Sequence, residues 1–240
     1  MLTEHAAELA HTYWASHMGC AEEELFAEPM KIITHGGELS RYQGAFAMFR
    51  DGASMVSLPR EGEGSLRPLV EGLGRSCTAT DFAQALNGVA TGVIGPACIC
   101  YSQCVALATH PTRELRSCDA EHVDDLKSAC ERLEWEHGGS LITHPCSGVF
   151  VGGCLVALAG YEVWGGNVAH ISIITHPGYR GHGYGRSAVA HVAARAMSRG
   201  LLPQYRTLQS NAPSMRVAES LGFHLFATSM AVRLDLSMLE

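Results

Sequence analysis

The chain has 240 residues, of which 47% are hydrophobic and 17% charged, and its formal net charge is −7 at pH 7. This composition excludes a disordered chain, and no apolar run approaches the ~18 residues that a membrane-spanning helix needs. The first residues include acidic side chains where a signal peptide would carry basic ones, so we expect a cytoplasmic protein without a membrane partner. An acidic chain binds nucleic acid poorly, so we expect no nucleic-acid partner either.

The charge is unevenly distributed along the sequence. Residues 1–105 carry twelve acidic and six basic side chains, and residues 106–175 carry nine and four. Residues 176–240 instead carry three acidic residues and seven arginines. A basic last quarter on an acidic chain favours the binding of a compact polyanion.

The first half of the sequence predicts a less regular lobe over residues 1–105. Apolar residues recur at helical spacing over residues 1–18, and residues 19–76 alternate short apolar runs with turns. Within them, residues 61–75 are typical of a linker. Asp81 suits the N-cap of a helix over residues 82–90, and an extended apolar segment then ends at a proline.

The nine cysteines follow no regular spacing, which favours reduced thiols. Cys98, Cys100 and Cys104 lie close together in the sequence, but zinc sites usually contain a Cys-x-x-Cys or a close histidine pair, and neither occurs here. We therefore expect small buried hydrophobic side chains at these positions, and no metal. A Cys/His metal-binding module stays open as an alternative that metal analysis would decide.

Residues 106–240 predict a second domain with the element order α-β-β-β-α-β-α-β. Asp119 suits the N-cap of the first helix, which we expect to end at the glycines 138 and 139. Three apolar runs separated by Gly-rich turns then indicate an antiparallel meander. A helical stripe from Gly183 to Met197, a short strand, a helix that Asn211 would cap and a last strand complete a mixed α/β sheet.

One stretch carries a chemical signal, because an apolar strand leads through Arg180-x-x-Gly183-x-Gly185 directly into a helix. The glycines let the backbone approach a ligand, and the first N–H groups of the helix have no acceptor within it, so this end can bind phosphate. Arg180 and Arg186 would add charged hydrogen bonds. The Walker signature is absent, and the glycine spacing does not fit a dinucleotide fingerprint. A Gly-rich connection without a ligand stays open.

Residues 168–223, from this strand through the glycine motif to Arg216-Val-Ala-Glu-Ser-Leu-Gly-Phe223, resemble the GNAT superfamily of N-acetyltransferases, and the resemblance extends over about residues 115–235. It implies a mixed, mostly antiparallel sheet flanked by helices, with acetyl-CoA as the co-substrate. It also implies that the pantetheine arm pairs with the backbone amides of Ile173, Ile174 and Thr175 and lies near Asn211, for which a plain N-cap is the alternative. The residues that would hold the pyrophosphate are Arg180, Gly181, His182, Gly183, Tyr184, Gly185 and Arg186.

The same resemblance guides the search for groups that move protons. Many family members place a tyrosine in the last helix as the general acid, but Ala218 occupies that region here, so another group or water must serve. For the base, the family often uses a glutamate or a water chain near the central strands. Alternation puts His170, Ser172 and Ile174 on one face of their strand, and Glu162 ends the neighbouring strand. Glu162 and His170 are therefore the candidate catalytic residues, and the alternative for each is an ordinary polar residue of a strand.

These expectations combine into a predicted N-acetyltransferase, which moves an acetyl group from acetyl-CoA to a primary amine of a small molecule or peptide in a ternary complex. The missing tyrosine leaves a catalytically weak CoA-binding sensor as the alternative. An acidic chain favours a cationic acceptor. Residues 1–105 would be either a degenerate lobe or the part that binds the acceptor, and a homodimer stays open.

Overall fold

The computed structural model describes residues 2–74, 76–139 and 146–239. Its α-helices are α1 (Glu4–Met18), α2 (Glu63–Glu71), α3 (Ala79–Ala85), α4 (Ala120–Ala129), α5 (Arg132–Glu134), α6 (Tyr184–Ser198) and α7 (Ala212–Ser220). Its strands are β1 (Met30–Thr34), β2 (Gly44–Arg50), β3 (Ala53–Leu58), β4 (Ala90–Tyr101), β5 (Thr112–Glu114), β6 (Cys146–Val151), β7 (Cys154–Trp164), β8 (Val168–Thr175), β9 (Leu202–Leu208) and β10 (His224–Leu234). A π-helical turn, Trp135–Gly139, follows α5 directly. Within these described ranges no helix is long and apolar enough to cross a membrane.

The chain forms two compact units, each with its own strands and helices. The first comprises the chain up to Ala6, Tyr101–Arg206 and Pro213–His224, and the second comprises Ala7–Cys100, Thr207–Ala212 and the chain from Leu225 onward. Strand pairs are mostly antiparallel, with parallel pairs at β1/β3 and β8/β9. The predicted fold class, a mixed and mostly antiparallel sheet flanked by helices, is confirmed.

The first unit contains the strand order β5-β6-β7-β8-β9. β6, β7 and β8 form the predicted antiparallel meander, with glycines at positive φ in both turns. α6 packs on one face, where the His191 ring contacts the Ser147 hydroxyl. α4 packs on the opposite face, where Leu126 joins Leu158 and Ile174 in an apolar core. The two faces of β8 therefore meet different helices.

The second unit contains the order β1-β3-β2-β10-β4, with a core formed by side chains of β2, β3, β10, α2 and α3. The linker predicted over residues 61–75 is wrong, because most of this range is α2. Leu66 and Val70 are fully buried on one face of that helix, four residues apart. Arg75, at the end of the range, lies outside the described residues.

Two predicted helix starts differ in detail. Thr78, not Asp81, is the N-cap of α3: the Asp81 N–H donates to the Thr78 hydroxyl, and the Asp81 carboxylate accepts from the Thr78 N–H. Asp119 does precede α4, but its carboxylate accepts two hydrogen bonds from Arg113, both 2.7 Å, and one from the Arg116 N–H. α4 also ends before the predicted glycines and is followed by α5 and the π turn.

Each unit contains segments from both sides of residues 105 and 106, and the boundary predicted there stays a prediction. β10, near the end of the chain, pairs with β2, where Met230 lies opposite Ala47. A separate role for residues 1–105 therefore stays a prediction.

All nine cysteines are free. Cys98 and Cys100 are buried as predicted, whereas Cys104 is exposed. In the part of the chain that the structure describes, no three His, Cys, Asp or Glu side chains are grouped so that they could hold a metal ion.

Candidate active site

One edge of β8 is open over its last residues. β8 pairs with β7 along its whole length, but its parallel pairing with β9 ends where Ile171 lies opposite Tyr205. β8 continues for four more residues, to Thr175. These residues present an edge that β9 does not cover in the described pairing.

Main-chain groups alternate in direction along this edge. The His176 N–H donates to the Val156 carbonyl of β7, at 2.9 Å. By alternation the amide of Ile174 also points toward β7, whereas the main-chain groups of Ile173 and Thr175 point to the open side. The predicted contact between a ligand and the Ile174 amide does not fit this geometry, because consecutive amides of a strand point in opposite directions.

The turn between β8 and α6 has a conformation that favours glycine. Gly181 and Gly183 have φ angles of 83° and 81°, in the left-handed region. Gly183 is the N-cap of α6 and offers no side-chain acceptor, so the N–H groups of the first helical turn have no cap. The chain thus presents an uncapped helix N-terminus that the turn of residues 176–183 joins to the open strand edge, which is the arrangement that the motif predicts.

Gly185 serves the packing of α6 on β8. A Cβ atom built on Gly185 would lie 2.6 Å from Thr175 Oγ1, so a larger residue would force the first turn of α6 away from the end of β8. A Cβ atom on Gly181 would meet no atom within 4 Å. The open space at Gly181 is therefore the part of the turn where a ligand can approach.

Both arginines of the motif have protein partners. Arg180 Nη2 donates to the two carboxylate oxygens of Glu134 in α5, at 2.9 and 2.8 Å. Arg186 donates to the carbonyl oxygens of Leu107 and Ser220 and to Ser220 Oγ, at the end of α7. Arg180 is 48% exposed and can exchange Glu134 for another anion, whereas Arg186 ties α6 to α7.

The segment Arg132–Gly139, here called the covering segment, contacts this region at two points. Glu134 holds Arg180, and a Cβ atom on Gly138 would lie 2.7 Å from the Ile173 carbonyl oxygen. The same segment therefore reaches both the motif arginine and the open edge of β8.

Two residues that sequence reasoning missed hold the start of α6. His110 Nε2 donates to the His182 carbonyl at 2.8 Å, and its ring centroid lies 4.6 Å from that of Tyr184. The N–H groups of Thr109 and His110 both donate to the buried Ser187 hydroxyl, at 3.2 and 3.1 Å. No local pattern reveals these contacts, because His110 precedes His182 by 72 positions.

His170 belongs to a buried polar network on the face of β8 that meets α4. Its Nδ1 donates to Gln204 Oε1 at 2.9 Å, and Gln204 Nε2 donates to the Tyr101 hydroxyl at 2.6 Å. The Trp164 ring stacks on the imidazole, with 3.7 Å between centroids. Burial lowers the pKa of His170 to about 4, so the ring is neutral at pH 7. Because Nδ1 carries the proton, Nε2 is an acceptor.

Glu162 lies directly opposite His170 in the β7–β8 register, so the two side chains project from the same face. The Glu162 side chain is half-buried and accepts a hydrogen bond from Trp164 Nε1, at 3.4 Å. The structure thus brings the two predicted catalytic candidates together.

Asn211 lies in the second unit and directly precedes α7, and its N–H donates to the Leu208 carbonyl at 3.0 Å. Its predicted contact with a pantetheine arm stays a prediction. Ala218 is buried in α7 and supplies no group that could donate a proton.

Comparison with known proteins gives one family match. Residues 107–223 match the model of the acetyltransferase (GNAT) family. A search of the curated proteins finds no match.

Several solved structures are also similar to this chain. A structure described as a GNAT-family acetyltransferase from Novosphingobium aromaticivorans is 28% identical over 60% of this chain, with a TM-score of 0.48, and the chain spans only 65% of that protein. A GNAT-family acetyltransferase from Colwellia psychrerythraea is 11% identical, covers 98% of both chains and has a TM-score of 0.55, which shows a shared fold. An acetyltransferase from Salmonella typhimurium, solved with its cofactor acetyl-CoA, is 20% identical over 52% of this chain and 94% of its own, with a TM-score of 0.39.

Proposed function

We propose that the chain transfers an acetyl group from acetyl-CoA to a primary amine of a small molecule or peptide, by direct attack in a ternary complex, because residues 107–223 match the model of the acetyltransferase (GNAT) family. One observation carries the proposal. The open edge of β8 is followed, after the turn of residues 176–183, by the uncapped N-terminus of α6. This order of groups suits an extended polar arm that ends in a diphosphate.

Acetyl-CoA is the acetyl donor of this family. The residues present fit it. The N–H groups of Ile173 and Thr175 would bind the pantetheine arm, as an added strand does. The Ile173 carbonyl lies against Gly138, and the Thr175 carbonyl accepts a hydrogen bond from Arg180 Nε at 3.4 Å. The N–H groups that follow Gly183 would bind the diphosphate, and Arg180 would add a charged contact after releasing Glu134.

Proton removal from the incoming amine falls to the face that carries Glu162 and His170. The low pKa of His170 makes its ring a weak base, so it suits the role of a hydrogen-bond acceptor that orients the amine or a water through Nε2. Glu162, half-buried beside it, is the group that would take the proton. Both roles are proposals about residues that the register places side by side.

The acceptor is proposed by charge alone. A net charge of −7 favours a cationic amine such as a polyamine, an aminoglycoside-like compound or a basic peptide. We keep residues 1–105 as the proposed source of acceptor specificity.

A panel of such amines tests the proposal, with free CoA detected by a thiol reagent and the acetylated product by mass spectrometry. The proposal expects CoA release that depends on one class of amine. A chain that binds acetyl-CoA but never releases CoA with any amine would instead be the CoA-binding sensor, the alternative that the lack of a tyrosine in the last helix leaves open.

A further inference from the structure

The helix α7 has no tyrosine that could act as the general acid. A tyrosine of the neighbouring strand β9, Tyr205, places its hydroxyl against this helix. Tyr205 of β9 is 2% exposed, and its hydroxyl lies 2.8 Å from Ser214 Oγ of α7. Ser214 and Ala218 are four residues apart on α7, so they share one helix face. The Tyr205 hydroxyl therefore reaches the face on which Ala218 stands.

Tyr205 also lies where the pairing of β8 with β9 ends. The pair Ile171–Tyr205 is the last one between β8 and β9, and the open edge begins with the next residue of β8. Gln204, the preceding residue, projects to the opposite face, where it holds His170. A thioester at the start of the open edge would thus have Tyr205 on one side of the sheet and the pair Glu162 and His170 on the other.

From this geometry we propose that Tyr205 is the general acid that protonates the sulfur of the departing CoA. This inference rests on the proposed function. It assigns a residue to the protonation of the CoA sulfur, for which the proposed function names none. As the amine nitrogen bonds to the acetyl carbon, the carbon–sulfur bond breaks and its electron pair stays on sulfur. The Tyr205 hydroxyl gives that sulfur its proton, so CoA leaves as a thiol. The proton that the amine loses goes to Glu162, and the phenolate regains a proton from solvent through the Ser214 hydroxyl.

Tyr205→Phe tests the assignment, because it removes the hydroxyl and keeps the ring. Tyr161→Phe is the matched control: Tyr161 is also buried in a strand, at 3% exposure, and its hydroxyl accepts a hydrogen bond from Arg199 at 3.2 Å. With acetyl-CoA and an amine that supports turnover, we expect Tyr205→Phe to lower kcat about 100-fold with little change in KM for acetyl-CoA. Tyr161→Phe should leave kcat within about twofold.

A binding measurement gives a second readout that needs no acceptor. Calorimetry at alkaline pH, where CoA is a thiolate, should show Tyr205→Phe weakening CoA about tenfold or more, because a hydrogen bond to a charged sulfur is lost. The affinity for desulfo-CoA, which has no sulfur, should not change.

If the wild-type chain binds no acetyl-CoA, the proposed function fails. If the wild type turns over and Tyr205→Phe keeps its kcat, the function stands and the inference is overturned. Equal losses toward CoA and desulfo-CoA would assign Tyr205 a purely structural role and also overturn it.

Discussion

Replacing Glu134 by glutamine should tighten the binding of acetyl-CoA, because the carboxylate occupies the arginine that the diphosphate needs. The two hydrogen bonds from Arg180 to Glu134 are 2.9 and 2.8 Å long, but the side chains are 48% and 37% exposed. Ion pairs with this exposure are worth ~0–1 kcal/mol. Release of Arg180 should therefore lower Kd by about two- to fivefold.

A second variant, Arg180→Ala, tests the same ion pair by removing the arginine. Arg180→Ala removes a charge-assisted contact with phosphate worth ~1.5–3 kcal/mol, so Kd should rise by about 10-fold or more. In that background Glu134→Gln should have little effect, because no arginine is left to release. The two changes should therefore be non-additive in a double-mutant cycle.

Titration calorimetry at low and high salt measures these effects, and the gain from Glu134→Gln should shrink as salt screens the charges. Glu136→Gln is the matched control, since it removes the same charge from the same segment and its partner is Arg132, at 3.6 Å. If Glu134→Gln and Glu136→Gln tighten binding equally, the effect comes from the change in net charge. Competition between Glu134 and the diphosphate for Arg180 is then refuted. An unchanged Kd in Glu134→Gln refutes it as well.

Three further predictions follow from the site and its support. Glu162→Gln should lower kcat/KM by about 10²–10⁴ at neutral pH, with a smaller loss at high pH where the free amine is abundant, and a pH–rate profile measures this. His110→Ala frees the His182 carbonyl and should raise Kd for acetyl-CoA about two- to tenfold, while His110→Gln, which keeps an N–H donor, should recover part of the loss in calorimetry. Arg113 holds the pKa of the Asp119 carboxyl well below its usual range, so this carboxylate stabilises the fold above the usual carboxyl pKa of ~3.9 and loses its contribution as the pH falls toward its own lower value. Asp119→Asn should therefore lower the free energy of unfolding at pH 7 and have a much smaller effect near pH 2, as denaturant titrations at the two pH values would show.

The meander, α6 and β10 could be predicted because their signals are local. Hydrophobic alternation, glycine turns and helical spacing each act within a few residues. The helix α2 was missed because charged residues, glycines and Pro68 hide a stripe of only two buried side chains, Leu66 and Val70. The predicted N-cap of α3 was wrong because Thr and Asp both cap helices well, and only the hydrogen bonds show that Thr78, not Asp81, precedes the helix.

The candidate site was predicted where it is continuous in sequence and missed where it is assembled from distant segments. The glycine turn and the open end of β8 follow directly from the motif. Which amides face the open edge depends on pairing with β7, and the role of Gly185 depends on its distance from Thr175. His110 and Tyr205 reach the site from segments outside the motif. For Tyr205, the sequence offers one signal, the alternation of β9, which puts Gln204 and Tyr205 on opposite faces of the strand.

The most direct test of the account compares acetyl-CoA with acetyl-pantetheine in titration calorimetry on the full chain. We expect acetyl-CoA to bind with one site per chain and acetyl-pantetheine, which lacks the diphosphate, to bind at least about tenfold more weakly. Equal affinities, or no binding of acetyl-CoA, would contradict the assignment of the open edge of β8 and the N-terminus of α6 as the cofactor site.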